Sequence, residues 1–205
     1  MSELTDKLDS IAEQIRLSLS AKDAAREQVL PLCREVIRYS SQAIRAVHRQ
    51  EFDRTRDLLK SARDLLSQAE QALTGAPEIS NTGFLRDAQK EFAEGSLILS
   101  LVTGSPRPAP AALGVDPAAY LNGLGEAAGE MRRYLLDSIR QGDLSRGEEL
   151  LAAMDDIYNV LVTMDFPDAI TGGLRRTTDM VRGVLERTLS DLTLVIRQKE
   201  LENLL

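Results

Sequence analysis

Acidic residues in the middle and second half of the chain have the type and spacing of a carboxylate metal site. Glu91 and Glu94 are three positions apart, so a helix would present both on one face. Asp155 and Asp156 lie in a later apolar segment, where we expect at least one of them to point toward apolar surroundings. With Glu130, such carboxylates could converge on a hard divalent cation, Mg²⁺ or Mn²⁺, which would polarise a phosphoryl oxygen and activate water. The alternative is an exposed charge cluster, which acidic pairs on helices commonly form.

The composition excludes most other kinds of catalytic site. The chain has 205 residues with one Cys and one His, which excludes a disulfide framework and a Cys-rich zinc site and argues against a His-based metal site. Glycine-rich phosphate loops and a serine nucleophile elbow do not occur in the sequence. No apolar run approaches the roughly 18 residues that span a bilayer, and the first residues lack the basic and apolar regions of a signal peptide. We therefore expect a cytoplasmic protein whose chemistry depends on carboxylates, hydroxyls or arginines.

Charge is segregated along the chain. The net charge is −7, but between positions 16 and 63 eleven Lys and Arg oppose six Asp and Glu, a local balance of +5. Between positions 116 and 165 four Arg oppose ten acids, a balance of −6. Four arginines of the basic part share one helix face and form what we call the arginine row: Arg34, Arg38, Arg45 and Arg49. The row could contact nucleic-acid phosphates, and the alternative is a solvated basic face paired with nearby acids such as Glu35 and Asp53.

Helical periodicity dominates the sequence, and no strand-like alternation with turn residues occurs. Apolar residues at three- and four-residue spacing predict seven helices, at about 2–19, 22–50, 52–73, 81–102, 117–141, 145–166 and 169–204. Pro31 predicts a kink or a late start of the second helix, because proline removes a donor from a helix interior. Asp116 and Pro117 predict a capped start for the fifth helix, and Ser145 with Glu148 predicts a capping box for the sixth.

The clearest interruption of the helical pattern is Gly104-Ser-Pro-Arg-Pro-Ala-Pro110, where three prolines in five residues exclude helix and central strand. We expect a loop at 104–115 between the fourth and fifth helices, within a single all-α domain that covers residues 1–205. The last helix carries apolar residues on two sides and ends in several leucines. Its second apolar side predicts either a partner surface or further packing within the chain.

The segment from Tyr120 to Asp143 resembles the translin family. It contains Tyr-Leu-Asn-Gly at 120–123, Gly-Glu-Met-Arg at 129–132 and Gly-Asp at 142–143, which correspond to the family's Tyr-Leu-x-Gly, Gly-Glu-Leu-x-Arg and Gly-Asp at the same separation. The basic stretches at 34–38 and 46–49 are similar to the family's early basic helix. The resemblance covers most of the chain after about residue 22. Short members of this kind occur in archaea, so it implies a prokaryotic source.

The acidic residues look more like the catalytic branch of that family, translin-associated factor X, than like translin. Glu91-Phe-Ala-Glu94 matches the branch's Glu-aromatic-x-Glu pattern. The branch's further aspartate precedes a Gly-Phe pair, and here Asp156 precedes Ile157 and Tyr158, so Asp156 is the better match and the Ile leaves Asp155 as an alternative. The resemblance implies that Glu91, Glu94 and Asp156 are catalytic residues that hold Mg²⁺ or Mn²⁺. Glu130 would be a fourth ligand or an acid beside them.

The resemblance also implies an assembly, a seven-helix protomer that forms a hollow homo-octamer enclosing RNA. The leading hypothesis is then a metal-dependent endoribonuclease whose arginine row holds the backbone of single-stranded or short duplex RNA. An alternative is a non-catalytic shell that binds single-stranded DNA or RNA and uses its acids only in salt bridges. A third is a helical interaction scaffold that contacts no nucleic acid.

Overall fold

The computed structural model describes residues 3–74 and 83–204, with side chains from residue 7 onward, and these residues form helices joined by turns and loops, with no strand. The predicted all-α class is confirmed. The helices are α1 (Glu3–His48), α2 (Phe52–Ala72), α3 (Gly83–Thr103), α4 (Pro110–Leu113), α5 (Pro117–Arg140), α6 (Gly147–Val162), α7 (Asp168–Thr171) and α8 (Leu174–Glu202). None of the helices in the described part of the chain is long and apolar enough to cross a membrane.

The first two predicted helices form one continuous helix of 46 residues, α1. Neither glycine nor proline separates the predicted end at 19 from the predicted start at 22, so nothing in the sequence ends the first helix there. Pro31 lies inside α1, and the expectation of a late helix start at this residue is wrong. The ring of Pro31 is on the exposed side, while Val29, Cys33 and Val36 are buried on the other side of the helix. Their packing stabilises the helix on both sides of the proline.

Eight helices are described instead of the seven predicted, because the first two predicted helices merge into α1 and two single-turn helices are added. One of them, α4, lies within the predicted loop at 104–115. The other, α7, is followed directly by Gly172 and Gly173, whose φ angles of +62° and +85° are left-handed. Such a conformation ends a helix at a glycine, and α8 therefore begins at Leu174 instead of 169. The predicted start of the fourth helix at 81 lies outside the described residues.

The two predicted helix caps have different outcomes. Asp116 accepts hydrogen bonds from the backbone N–H groups of Ala118 and Ala119, at 2.9 and 3.4 Å, and Pro117 is the first helical residue, as expected. The capping box at Ser145 is wrong, because α6 begins at Gly147 without a side-chain cap. At this end of α6, Arg146 instead donates hydrogen bonds to carbonyl groups at the end of α3.

One hydrophobic cluster extends from Val29 on α1 to Val184 on α8. Helix α3 is central to it, since it packs against α1, α2 and α5, and α8 covers α5 and α6 from the other side. The first half of α1 lies outside this core. Its apolar residues are 49 to 65% exposed, and they are Leu8, Ile11, Ile15, Leu17 and Leu19. The fold therefore leaves one long apolar helix surface uncovered in the protomer.

Candidate metal centre

A glycine brings α5 into backbone contact with α3. A Cβ atom on Gly123 would lie 2.7 Å from the carbonyl oxygen of Lys90 and 3.0 Å from the backbone nitrogen of Glu94, both on α3. Real Cβ atoms do not approach backbone atoms so closely, so only glycine permits this approach. Glu126 lies one turn after Gly123 on the same face of α5 and is thereby placed beside α3.

Three carboxylates meet at this crossing. One oxygen atom from each of Glu91, Glu94 and Glu126 lies within 4.8 Å of the other two, and we call these residues the carboxylate cluster. Lys90 borders the cluster, with its Nζ 2.7 Å from Glu126 and 3.8 Å from Glu91. Glu94 is only 7% exposed, and in the described residues no side chain donates a hydrogen bond to it. The site therefore contains a buried carboxylate that lacks a partner of opposite charge in direct contact.

Burial and mutual repulsion disfavour the charged forms of these acids. Burial, followed by the negative charges of Glu126, Glu91 and Glu130, raises the pKa of Glu94 to about 9. Burial is also the main cause of the raised pKa of Glu91. Burial is the largest single influence on Lys90 and lowers its pKa, but the hydrogen bond to Glu126 and the negative charges of the neighbouring acids together outweigh it, so the pKa is raised. A divalent cation would remove the repulsion and stabilise all three carboxylates in the ionised form.

The fold and sequence are similar to those of known C3PO proteins. The structure of AfC3PO in complex with duplex RNA matches with a TM-score of 0.82 and 33% sequence identity, and the match covers 91% of this chain and 97% of that one. A crystal structure of AfC3PO matches with a TM-score of 0.83 at the same identity and coverage. The chain belongs to the translin/C3PO family. The predicted membership of the translin family is thus confirmed.

This translin/C3PO chain is also similar to one further solved structure in fold and to one further protein in sequence. The structure of apo-NeC3PO has a TM-score of 0.76 with 16% identity, over 95% of this chain and 98% of that one. An uncharacterized protein of Methanocaldococcus jannaschii is 29% identical over 185 residues, which are 89% of this chain and 82% of the relative. No protein-family model matches the sequence.

Glu130 lies beside the carboxylate cluster and is bound by the only histidine of the chain. The side chain of His48 on α1 is only 6% exposed, and its Nε2 donates a hydrogen bond to Glu130. That hydrogen bond is the main cause of the lowered pKa of Glu130, with the charge of Arg133 contributing. The ring of Tyr134 lies 6.5 Å from the imidazole, centre to centre. The negative charge of Glu130 therefore contributes to the raised pKa values of Glu91 and Glu94, while its carboxylate is hydrogen-bonded to His48.

Asp155 and Asp156 are both exposed on α6, so the expectation that one of them points toward apolar surroundings is wrong. Met154 and Ile157 occupy the core-facing side of the helix, which leaves the two aspartates between them on the solvent side. Asp156 lines an open groove together with Arg107 and is not among the carboxylates that meet at α3 and α5. Of the four acids expected from the sequence as ligands in this translin/C3PO chain, Glu91 and Glu94 belong to the carboxylate cluster, Glu130 lies beside it and Asp156 lies elsewhere.

The third member, Glu126, was not among the candidates from the sequence, although two signals point to it. It lies four residues before Glu130, so the two acids share a face of α5. It also lies one turn after Gly123, the last residue of the Tyr-Leu-Asn-Gly motif that carries the family resemblance. A glycine in the middle of a long helix indicates a close helix contact, and acids one turn away from it are placed at that contact.

All four members of the arginine row are exposed, three of them on α1 and Arg49 directly after its end. Arg38 forms a hydrogen-bonded ion pair with Glu35, as the solvated-face alternative predicts. Arg45 and Arg49 border a small cleft at the end of α1. Asp53, the other acid proposed as a partner of the row, pairs instead with Arg56 on its own helix. The row therefore keeps most of its positive charge accessible.

Proposed function

We propose that the protein binds RNA and cleaves its phosphodiester bonds as a divalent-cation-dependent endoribonuclease. The observation that carries the proposal is the carboxylate cluster, in which three acids from two helices meet and one of them, Glu94, is buried. Its membership of the translin/C3PO family supports RNA as the substrate, because AfC3PO has been solved in complex with duplex RNA.

The residues of the cluster fit a hard divalent cation such as Mg²⁺ or Mn²⁺. Carboxylate oxygens are the ligands that these ions prefer, and the ionised form of the buried Glu94 is unfavourable unless a positive charge lies in contact with it. Glu91, Glu94 and Glu126 would hold the ion, and the ionised Glu130 adds attraction from the side. In such a site a divalent cation supplies Lewis acidity, which polarises a phosphoryl oxygen and activates water at neutral pH.

The arginine row is proposed to contact the RNA backbone. Its four arginines are exposed along α1 and directly after its end, and their guanidinium groups can donate hydrogen bonds to phosphates. Contacts of this kind position the strand without reading its sequence, and single-stranded DNA is the alternative ligand that they also fit. An enclosed basic face is compatible with the net charge of −7, because the net charge describes the whole surface.

The protein is proposed to act as a homo-octamer that encloses the RNA, the assembly that the family resemblance implies. The apolar residues of the first half of α1 support self-association, since they are 49 to 65% exposed in the protomer. The end of α8 adds Leu194 and Leu201, exposed to 67 and 63%. Burial of these surfaces between identical subunits would provide the interfaces of a closed assembly.

A non-catalytic shell that binds single-stranded DNA or RNA is the second candidate function. The contact between Lys90 and Glu126, at 2.7 Å, favours it, because an acid that is neutralised by lysine has less need of a metal ion. This candidate predicts salt-dependent nucleic-acid binding without cleavage, whether or not Mg²⁺ is present.

Incubation of the purified protein with labelled single-stranded and short duplex RNA, with Mg²⁺, Mn²⁺ or EDTA, separates the two candidates. The endoribonuclease predicts cleavage that requires the divalent ion and disappears in Glu94→Gln. Glu148→Gln is the matched control, because Glu148 is an exposed acid on α6 outside the cluster. RNA that is bound but intact with both ions would reject the nuclease and favour the non-catalytic shell.

A further inference from the structure

A cavity adjoins the carboxylate cluster. It lies between α3, α5 and the start of α8, and its volume is about 480 Å³. Glu126 belongs both to its wall and to the cluster, so the two sites are continuous. We call it the Arg86–Arg176 pocket after two arginines in its wall. Its size is in the range of pockets that hold small ligands such as a nucleotide.

The two arginines give the pocket positive charge that is not neutralised. In the described part of the chain no carboxylate forms an ion pair with Arg86 or Arg176, whereas the third cation of the wall, Lys90, is paired with Glu126. The other acid of the wall, Asp87, is exposed. Guanidinium groups that lack an acidic partner and border a cavity are suited to phosphate, which they bind through two parallel hydrogen bonds.

The backbone at the start of α8 adds to this preference for an anion. Gly172 and Gly173 line the pocket in left-handed conformations, and a Cβ atom on Gly172 would lie 3.4 Å from Nη1 of Arg86. Helix α8 has 29 residues and begins here without a side-chain cap. The N-terminus of α8, which carries a partial positive charge, therefore lies beside the same pocket as the two arginines.

Buried hydrogen bonds hold the wall in place. The side chain of Asn122 on α5 donates to the carbonyl oxygens of Ala118 and Thr171, each at 2.8 Å, and accepts from the hydroxyl of Thr177 at 2.6 Å. These contacts fix the turn before α8, and the first turns of α8 itself, against α5. The backbone of this wall is therefore held in place before any ligand binds, which reduces the ordering required on binding.

We propose that the Arg86–Arg176 pocket binds a phosphate group of the RNA that neighbours the phosphodiester at the carboxylate cluster. Arg86 and Arg176 donate hydrogen bonds to its oxygens, and the phosphate so held fixes the strand relative to the cluster. The proposal rests on the proposed function, since RNA cleavage at the cluster is what makes an adjacent RNA phosphate the occupant.

Titration of uridine 5′-monophosphate into the protein in EDTA tests the pocket without the metal site. Uridine is the phosphate-free comparison. We expect the monophosphate to bind more tightly than uridine, and Arg86→Gln and Arg176→Gln each to weaken it about tenfold, the effect of losing a charge-assisted hydrogen bond. Arg175→Gln is the matched control, because Arg175 precedes Arg176 on α8 but lines a different groove. Its binding should change less than about twofold.

Equal binding of uridine and its monophosphate would overturn the proposal, as would equal effects of the substitutions at positions 175 and 176. Cleavage assays separate this proposal from the proposed function. If the wild type cleaves RNA and the KM for RNA is unchanged in Arg86→Gln and Arg176→Gln, the pocket assignment alone is rejected. If the wild type does not cleave RNA but the monophosphate binds in an arginine-dependent way, the nuclease is rejected and the phosphate site is supported.

Discussion

Metal binding should release a proton from Glu94, and Glu94→Gln should abolish that release. Burial, followed by the charges of neighbouring acids, raises the pKa of Glu94 from 4.5 to about 9 in the metal-free protein. At pH 7 the residue is therefore protonated, and an incoming cation must displace the proton. The two units between pH 7 and this pKa correspond to about 3 kcal/mol, or roughly a hundredfold in metal affinity.

Calorimetric titration with Mn²⁺ at several pH values between about 6.5 and 8.5 measures this directly. The Kd should fall about tenfold per pH unit, with about one proton released per ion bound. Glu94→Gln should bind more weakly and lose most of the slope. Glu130→Gln should keep the slope, because the hydrogen bond from His48 lowers the pKa of Glu130 and already leaves it ionised. A Kd for the wild type that does not change with pH would refute the assignment of Glu94 as a buried ligand.

The same proton affects the folding stability of the metal-free protein. The pKa of Glu94 is higher in the folded than in the unfolded chain, so the folded state binds more protons between pH 4.5 and about 9. The free energy of unfolding therefore falls as the pH rises through this window. Glutamine has no such loss, so the Tm of Glu94→Gln should exceed that of the wild type by a margin that grows with pH. A margin that shrinks with rising pH would contradict the raised pKa.

Three further predictions follow from the fold and the surface. Gly123→Ala should lower the free energy of unfolding by about 1–3 kcal/mol in chemical denaturation and weaken Mn²⁺ binding, because the new Cβ would meet the backbone of α3. Gly129→Ala, with open space around the new Cβ, should be neutral or stabilising. Replacement of the arginine row by glutamine should reduce the slope of log binding constant against log salt concentration by about one unit for each RNA phosphate that the protein no longer neutralises. An unchanged slope would exclude the row from the RNA interface. The double substitution Ile11→Glu and Ile15→Glu should reduce the proposed assembly to smaller species in sedimentation, because it places charge on the exposed apolar surface of α1. An assembly that stays intact would place the interface elsewhere.

The sequence predicted the fold class well because the apolar periodicity is consistent along the chain. It failed where tertiary packing outweighs a local signal, as at Pro31, which lies inside a helix held by buried neighbours on both sides. It also failed at Ser145, where the side chain of Arg146 binds carbonyl groups of α3 and the helix begins later. Local capping patterns do not include such long-range contacts.

The carboxylate cluster was predicted only in part, for a geometric reason. Glu91 and Glu94 share a helix, so their spacing alone places them together. The third acid comes from another helix, and its choice depends on which residues of α5 face α3. Gly123 determines that contact and brings in Glu126, while Asp156 remains on the exposed side of α6. Periodicity gives the buried side of each helix, but it does not give the pairs of helices that meet.

The most direct test of the account is RNA cleavage by Glu126→Gln, measured with Mg²⁺ or Mn²⁺ beside the wild type. Glu126 is the acid that the structure places beside the pair on α3. We predict that the wild type cleaves RNA only with the divalent ion, and that Glu126→Gln loses at least about a hundredfold in rate while it still binds RNA and keeps its oligomeric state. Cleavage by Glu126→Gln at the wild-type rate would contradict the proposed metal centre.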